Sequence, residues 1–153
     1  MSLLLDLTKL KEVPFEPVQE PWNEYRLKDG SLLRVRLIVV KFFDTGEIDP
    51  SSGCPRYVVA YRNILSVVSE ERGSPRPAPA DLSKIPDSDK EEVEVEEILK
   101  EDWNIYHVDG VYEHRAKPVI VAVYRLKGYF DPAGYPIYNV ETRVIDRTRK
   151  LKR

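Results

Sequence analysis

Apolar side chains recur along this chain at alternate positions more often than at helical spacing. Leu33-Arg-Val35-Arg-Leu37 puts aliphatic residues on one face and arginines on the other, the pattern of a strand with one wet side. The alternation then gives way to Ile38, Val39, Val40, Phe42 and Phe43. Residues 32–43 are therefore predicted to form a strand whose second part is buried on both faces or bends at a bulge into a barrel corner. Residues 57–68 and 138–147, rich in Val, Tyr, Ile and Arg, are predicted strands as well. Pro118 precedes the apolar run 119–124 and is expected at a strand start or edge, because it cannot donate to a ladder.

The pattern occurs twice. Trp22-Asn23-Glu24-Tyr25 followed by Asp29-Gly30 meets Trp103-Asn104-Ile105-Tyr106 followed by Asp109-Gly110. Further on, Gly46, Asp49-Pro50, Gly53, Pro55, Tyr57, Val59, Arg62 and Ile64 meet Gly128, Asp131-Pro132, Gly134, Pro136, Tyr138, Val140, Arg143 and Ile145. Turn chemistry alone would repeat the Asp, Gly and Pro positions. It does not explain tryptophan, tyrosine and valine in the same register, so a tandem duplication is expected.

Each Asp-Gly pair suits the positive-φ positions of a type I′ hairpin turn, and residues 44–55 and 127–136 read as broader loops. A three-stranded unit can hardly bury both faces alone, so two are expected to pack as one pseudo-twofold, six-stranded barrel or sandwich, mainly β. The expected division is an N-terminal extension at 1–21, a first β unit at 22–68, a connector at 69–102, a second unit at 103–147 and a basic tail at 148–153, the two units forming one compact domain. Such a pair resembles a homodimer made permanent by fusion. In the connector, Arg76-Pro-Ala-Pro-Ala is extended, and the run from Ser88 suits either a short helix with Ser88 as N-cap or, through Val93-Glu-Val95, an added edge strand.

Composition narrows the class. Charged residues make up 33% of the chain, there is one glutamine, and 12 prolines stand against 7 glycines, a mixture favoured in proteins from hot habitats. One cysteine forbids an internal disulfide. With no basic leader at the start and no apolar run long enough for a bilayer, a cytoplasmic protein without membrane contact is expected.

The net charge of −2 conceals a segregation: the two β units are basic, while residues 69–102 carry 12 acidic against 5 basic side chains. A basic, tyrosine-bearing β surface could track phosphates and stack bases, with Arg34, Arg36, Lys41, Arg56, Arg62, Arg143, Arg147, Arg149 and Lys150 as contacts. The plainer reading has these cations on solvated strand faces, partly neutralised by the acidic connector lying across them. The residues from Arg147 to the C-terminus are expected to trail into solvent.

Candidate chemistry is sparse. On a two-residue Asp109-Gly110 turn, His107 and His114 would share a face with Cα atoms about 7–8 Å apart, a weak metal pair lacking further ligands. Arg26 takes the place of His107 in the first unit. Cys54, matched by Tyr135, has no base near it in sequence. No phosphate-binding glycine loop, Ser-centred elbow or Cys-x-x-Cys pair occurs, and no cofactor is implied. The repeated aromatics Trp22, Tyr25, Tyr57, Trp103, Tyr106 and Tyr138 are expected as core and corner residues, or as a pair of clefts where the units meet. The expectation is a non-catalytic β module that binds a partner or self-associates. Nucleic-acid binding is its leading specific version, and a small metal- or thiol-dependent enzyme is the distant alternative.

Overall fold

A computed structural model describes residues 7–152. The first six residues of the expected N-terminal extension, and Arg153 of the expected basic tail, lie outside the described residues. Ten strands follow in order: β1 (Lys11–Val13), β2 (Phe15–Gln19), β3 (Trp22–Leu27), β4 (Leu32–Ile48), β5 (Pro55–Val68), β6 (Lys90–Glu92), β7 (Val95–Lys100), β8 (Asn104–Val108), β9 (Tyr112–Phe130) and β10 (Pro136–Lys150). They pair into two antiparallel five-stranded sheets, and no closed barrel forms. The chain is mainly β as expected, but the described residues form ten strands where six were expected.

The four additional strands lie in the segments read as extension and connector. β3–β4–β5 and β8–β9–β10 are antiparallel meanders, and each is preceded by a two-strand arm. The first arm sends β1 to β4 of its own half and β2 to β8 of the other. The second sends β6 to β9 of its own half and β7 to β3 of the other. Each arm turns a corner whose carbonyl accepts an N–H from the opposite hairpin: Asp109 donates to Pro14 at 2.8 Å and Lys28 to Glu94 at 2.9 Å. The two halves are thus tied by a reciprocal exchange of edge strands, which covers edges that would otherwise be open to foreign pairing.

Irregularities recur at matched positions. β4 skips a residue between Val39 and Lys41, leaving Val40 out of register, and β9 does the same at Val121. These are bulges that bend a long strand. Of the two expectations for residues 32–43, the bulge is present but leads into no closed barrel, and burial on both faces is not found, since Val40 is 49% exposed. Pro118, expected at a strand start or edge, instead lies inside the 19-residue β9. It is tolerated there because one edge of β9 is unpartnered between Ala116, where β8 ends its pairing, and Tyr124, where β6 begins.

The hairpins correct the turn reading. Both loops have three residues, pairing Leu27 with Ser31 and Val108 with Tyr112. Asp109 and Gly110 both have positive φ, whereas in the first loop Gly30 does and Asp29 does not. The first is thus a helical-type turn closed by a left-handed glycine, and only the second has the paired positive φ values expected of both.

The sheets meet through two clusters. One joins Tyr25, Leu27, Leu33 and Val35 of the first sheet to Val123 of the second, with Val93 from the corner of the second arm. The other joins Val39 and Phe42 to Tyr106 and Val108, with Val13 from the corner of the first arm. A third, smaller cluster packs connector residues Ile85, Leu82 and Ala78 on Leu126, Tyr129 and Ile137. The connector contains only one-turn 3-10 segments, and Ser88 lies inside one of them, Asp87–Asp89, whose cap residue Pro86 offers no side-chain bond. The single edge strand through Val93-Glu-Val95 is corrected as well: two short strands, β6 and β7, flank Val93 and Glu94, which form the corner between them. Among the described residues no helix is long and apolar enough to cross a membrane.

Candidate functional site

The alternation of β9 turns His114 inward, opposite Tyr106 on β8 and Thr148 on β10. The other sheet brings Tyr61 of β5 against it. Tyr61 Oη lies 2.7 Å from His114 Nε2 and donates to Asp146 Oδ2 at 2.6 Å, while Thr148 Oγ1 lies 2.9 Å from Nδ1. His114 is 3% exposed and meets the ring of Phe42 edge-on at 5.1 Å. A tyrosine hydroxyl has one hydrogen, and Asp146 takes it. Tyr61 therefore accepts from His114 Nε2–H, and with neutral imidazole Nδ1 accepts from Thr148. The result is a directed chain, Thr148 to His114 to Tyr61 to Asp146. His114 Nε2 also lies 3.5 Å from Asp146 Oδ2. That contact, helped by the Tyr61 hydroxyl, holds the Asp146 carboxyl below the ordinary aspartate range against the opposing effect of burial. Burial first, and the Asp146 bond second, push the Tyr61 phenol far up.

The three members that come from the second half, His114, Asp146 and Thr148, have no polar counterparts in the first. Register places Leu33 against Val67 as it places His114 against Thr148, and Leu65 against Val35 as Asp146 against Ala116. The matched positions in the first half are thus aliphatic. Position-by-position comparison of the repeats would have exposed this in the sequence; reading motifs within one unit did not, and Tyr61, Asp146 and Thr148 were missed.

Beside the chain opens a cleft of about 670 Å³, where the loop before β5 faces the end of β10. Its lining includes Arg56, Arg147 and Arg149, with Tyr57, Asp49 and Asp146. Arg149 is bound to Glu113 at 2.8–2.9 Å, a carboxylate shared with Arg115 at 2.7 Å. Burial works to raise the Glu113 pKa, but the two guanidiniums outweigh it and hold the group low. Asp49 accepts from the backbone and hydroxyl of Ser51, which lowers its pKa. Asp146 is occupied by Tyr61 and His114. Arg56 and Arg147 are both exposed, and neither has an ion pair among the described residues. Burial raises the Tyr57 phenol, so this ring presents a neutral hydroxyl at neutral pH.

The other predicted cations are distributed differently. Arg34 stacks on Trp22 at 4.4 Å and lies 3.9 Å from Glu24; Arg36 donates to the Glu20 carbonyl at 2.9 Å; Lys41 pairs with Glu12 at 3.1 Å. Arg62 and Arg143 are exposed and without ion pairs among the described residues, as is Lys150. Lys150 does not trail into solvent: β10 runs through it, and Leu151 N–H continues to Val111 O at 2.9 Å. The acidic connector does not lie across these cations. Its carboxylates pair instead with Lys28, Lys117, Lys127 and Arg125.

The histidine pair is corrected. The three-residue loop shifts the register by one, so His107 faces Glu113 and His114 faces Tyr106, on opposite sides of the sheet. Among the described residues no three ligating side chains converge. Cys54 is buried, with its N–H and thiol turned to Ser52 at 3.2 and 3.8 Å.

Of the repeated aromatics, Tyr25 and Tyr106 are core residues whose hydroxyls donate to Glu101 and Glu20. Trp22 and Trp103 each carry a cation over the ring, Arg34 and Lys117 respectively. Tyr138 donates to Asp29, and burial first, with that bond, pushes its phenol up to about 12. Only Tyr57 lines the cleft, so the aromatics do not form two equivalent clefts. Comparison of the chain with protein-family models, curated proteins and solved structures finds no match.

Proposed function

We propose that this protein is a non-catalytic binding module, that its two halves arose by tandem duplication, and that the cleft between the β5 loop and the end of β10 takes an anionic ligand. The observation that carries the reading is the convergence on one cleft of Arg56 from the first half and Arg147 from the second, neither in a direct ion pair among the described residues, with Asp49 acting on Arg56 only at longer range. A guanidinium held without a partner offers a planar set of donors to carboxylate or phosphate. The non-catalytic reading is supported by His114, both of whose ring nitrogens are engaged, and by the buried thiol of Cys54. The duplication is supported by the matched bulges at Val40 and Val121 and the matched arms. It allows one copy to diverge while the other keeps the fold.

Nucleic acid is a second reading, favoured by the exposed and unpaired Arg62 and Arg143, which lie outside the cleft lining. Titration of the full chain with pyrophosphate and with an oligo-dT strand at low and high salt tests both. Pyrophosphate binding abolished by Arg56→Glu with Arg147→Glu supports the cleft. Oligo-dT binding that falls steeply with salt and depends on Arg62 and Arg143 instead moves the site to the strand faces. No binding of either anion overturns the anionic reading.

A further inference from the structure

Four strands at the rims of the sheets are protected unequally. Among the described residues β5 pairs with β4 alone, β10 with β9, β7 with β3 and β2 with β8, so each presents one row of unpaired backbone groups. Such rows invite foreign strands unless charge or proline blunts them. β2 contains Glu16 and Pro17, and β7 contains Glu96, Glu97 and Lys100. Along β10, residues 138–149 hold five charged side chains, two acidic and three basic. The matched residues of β5, 57–68, hold a single charge, Arg62, and no proline.

In place of charge, β5 presents aliphatic side chains: Ile64, Leu65 and Val68 are between 41% and 54% exposed. At β10 the residues matching Leu65 and Val68 are Asp146 and Arg149, both held in polar contacts with Tyr61 and Glu113. Four consecutive residues of β5, from Arg62 to Leu65, are exposed. Neighbours on a strand point to opposite faces, so both faces are open here as well as the edge. The chain after Val68 does not return to cover it. Residues 69–76 run instead over the loop that joins β9 to β10, where Gly73 N–H donates to Gly134 O at 2.8 Å and Arg76 and Phe130 exchange two backbone hydrogen bonds of 3.0 Å each.

We propose that two copies of this chain associate through β5, the two strands pairing antiparallel about a twofold axis at Ile64 so that their first sheets become one. β5 is complementary to itself in that register. A twofold axis normal to the sheet keeps each face with its like, and residues equally far before and after Ile64 oppose one another. Ile64 then meets its own copy, Leu65 meets Asn63, Arg62 meets Ser66 and Ala60 meets Val68. Like charges are never opposed, and aliphatic side chains left in water by the single chain are packed. Of the four edges only β5 brings such a run without proline or further charge, so the strand that fits it best is β5 itself. Arg56 and Tyr57 precede the paired stretch, residues 60–68, so each copy retains its cleft.

The paired stretch is short of the roughly 20–30 residues a side of a standard interface, so the association is a weak one. Sedimentation equilibrium of the full chain is expected to show a monomer–dimer equilibrium with a dissociation constant of about 1–100 μM. Ile64→Lys places two ammonium groups across the axis and is expected to weaken the dimer at least about tenfold, as is Ile64→Glu. An equimolar mixture of these two variants is expected to restore dimers, because opposite charges then meet at the axis. Ile145→Lys, at the matching position of β10, is expected to leave the dimer unchanged. Melting temperatures equal to the parent at monomeric concentrations confirm that the variants fold. A chain that stays monomeric up to about 500 μM overturns pairing through β5. A dimer that survives Ile64→Lys, or that Ile145→Lys disrupts, assigns the interface elsewhere and overturns it too. Assemblies that grow beyond the dimer mean unlike edges joined head to tail, and a mixture that stays monomeric removes the axis from Ile64; either result overturns the twofold pairing.

Discussion

Tyr106 donates its hydroxyl hydrogen to the Glu20 carboxylate at 2.6 Å, across 86 positions of chain. Its counterpart Tyr25 does the same to Glu101 at 2.8 Å. In both cases the acid belongs to the arm that has crossed from the other half, so the bond pins an exchanged segment to a buried ring. The two are unequal. Tyr106 is fully buried and also accepts from Asn104 at 2.9 Å, while both acids have a further partner, Val39 N–H at 3.1 Å for Glu20 and Lys117 at 3.1 Å for Glu101. Tyr106→Phe is expected to cost about 2–3 kcal/mol and Tyr25→Phe about 1 kcal/mol. Urea unfolding of the two variants measures the order, and equal costs would contradict it.

The matched asparagines carry a second asymmetry. Asn23 Oδ1 accepts from Asp102 N–H at 3.1 Å, while Asn104 Oδ1 is buried with no partner among the described residues. The residue matching Asp102 in the first arm is Pro21, which has no N–H to give. Pro21→Ala supplies the donor, at a cost of about 0.4–1 kcal/mol in the added freedom of the unfolded chain. A double-mutant cycle with Asn104→Ala separates the terms. A favourable coupling of about 1 kcal/mol is expected, and zero coupling would show that the new amide does not reach Oδ1.

Strand character could be read from the chain because it depends on local pattern: Leu33, Val35 and Leu37 announce a half-wet strand wherever they fold. The arms could not. β1 and β2 are short and contain Pro17, β7 is rich in glutamate, and their partners are edges supplied by distant chain, so nothing within them specifies a sheet. The histidine error came from a single residue of loop length. Asp109-Gly110 was recognised as the turn, but Val111 also belongs to the loop, and that one residue moved His107 to the other face. The cleft was half visible: Arg56 and Arg147 were named as cations, but a composition argument could not distinguish them from Lys41 and Arg149, which Glu12 and Glu113 neutralise.

Gly53 and Gly134 test the connector's grip. Both have positive φ, so alanine at either is strained by about 1–2 kcal/mol. A Cβ at Gly53 meets nothing within 4 Å, whereas one at Gly134 would lie 2.8 Å from the Gly73 carbonyl. Gly134→Ala should therefore cost about 1–3 kcal/mol more and release residues 69–76 from the loop. Limited trypsin digestion reads this directly, with cleavage after Arg72 accelerated in Gly134→Ala and unchanged in Gly53→Ala.

The Thr148–His114 pair can be made to resemble the other half. His114→Leu leaves the Thr148 hydroxyl without its ring partner in a half-buried position, and a cost of about 1–3 kcal/mol is expected. His114→Leu with Thr148→Val reproduces the Leu33–Val67 pairing of the first half. The double variant should recover much of that loss, because removing both members of a buried polar pair is nearly neutral. A double variant less stable than the single would mean that the two halves differ in shape here as well as in polarity.

Asp146 makes stability depend on acid. Its folded pKa is depressed, chiefly by the His114 contact, so the contribution is complete above the ordinary aspartate value near 4 and is lost as pH falls through the lower folded value. The stability difference between the parent and Asp146→Asn should shrink steadily below about pH 4. In the His114→Leu background the main cause of the depression is gone, so the folded and unfolded pKa values converge and the same difference should vary little with pH. Chemical denaturation across this range, with salt held fixed, decides the point. An unchanged slope in the His114→Leu background would assign the acid dependence to a carboxylate other than Asp146.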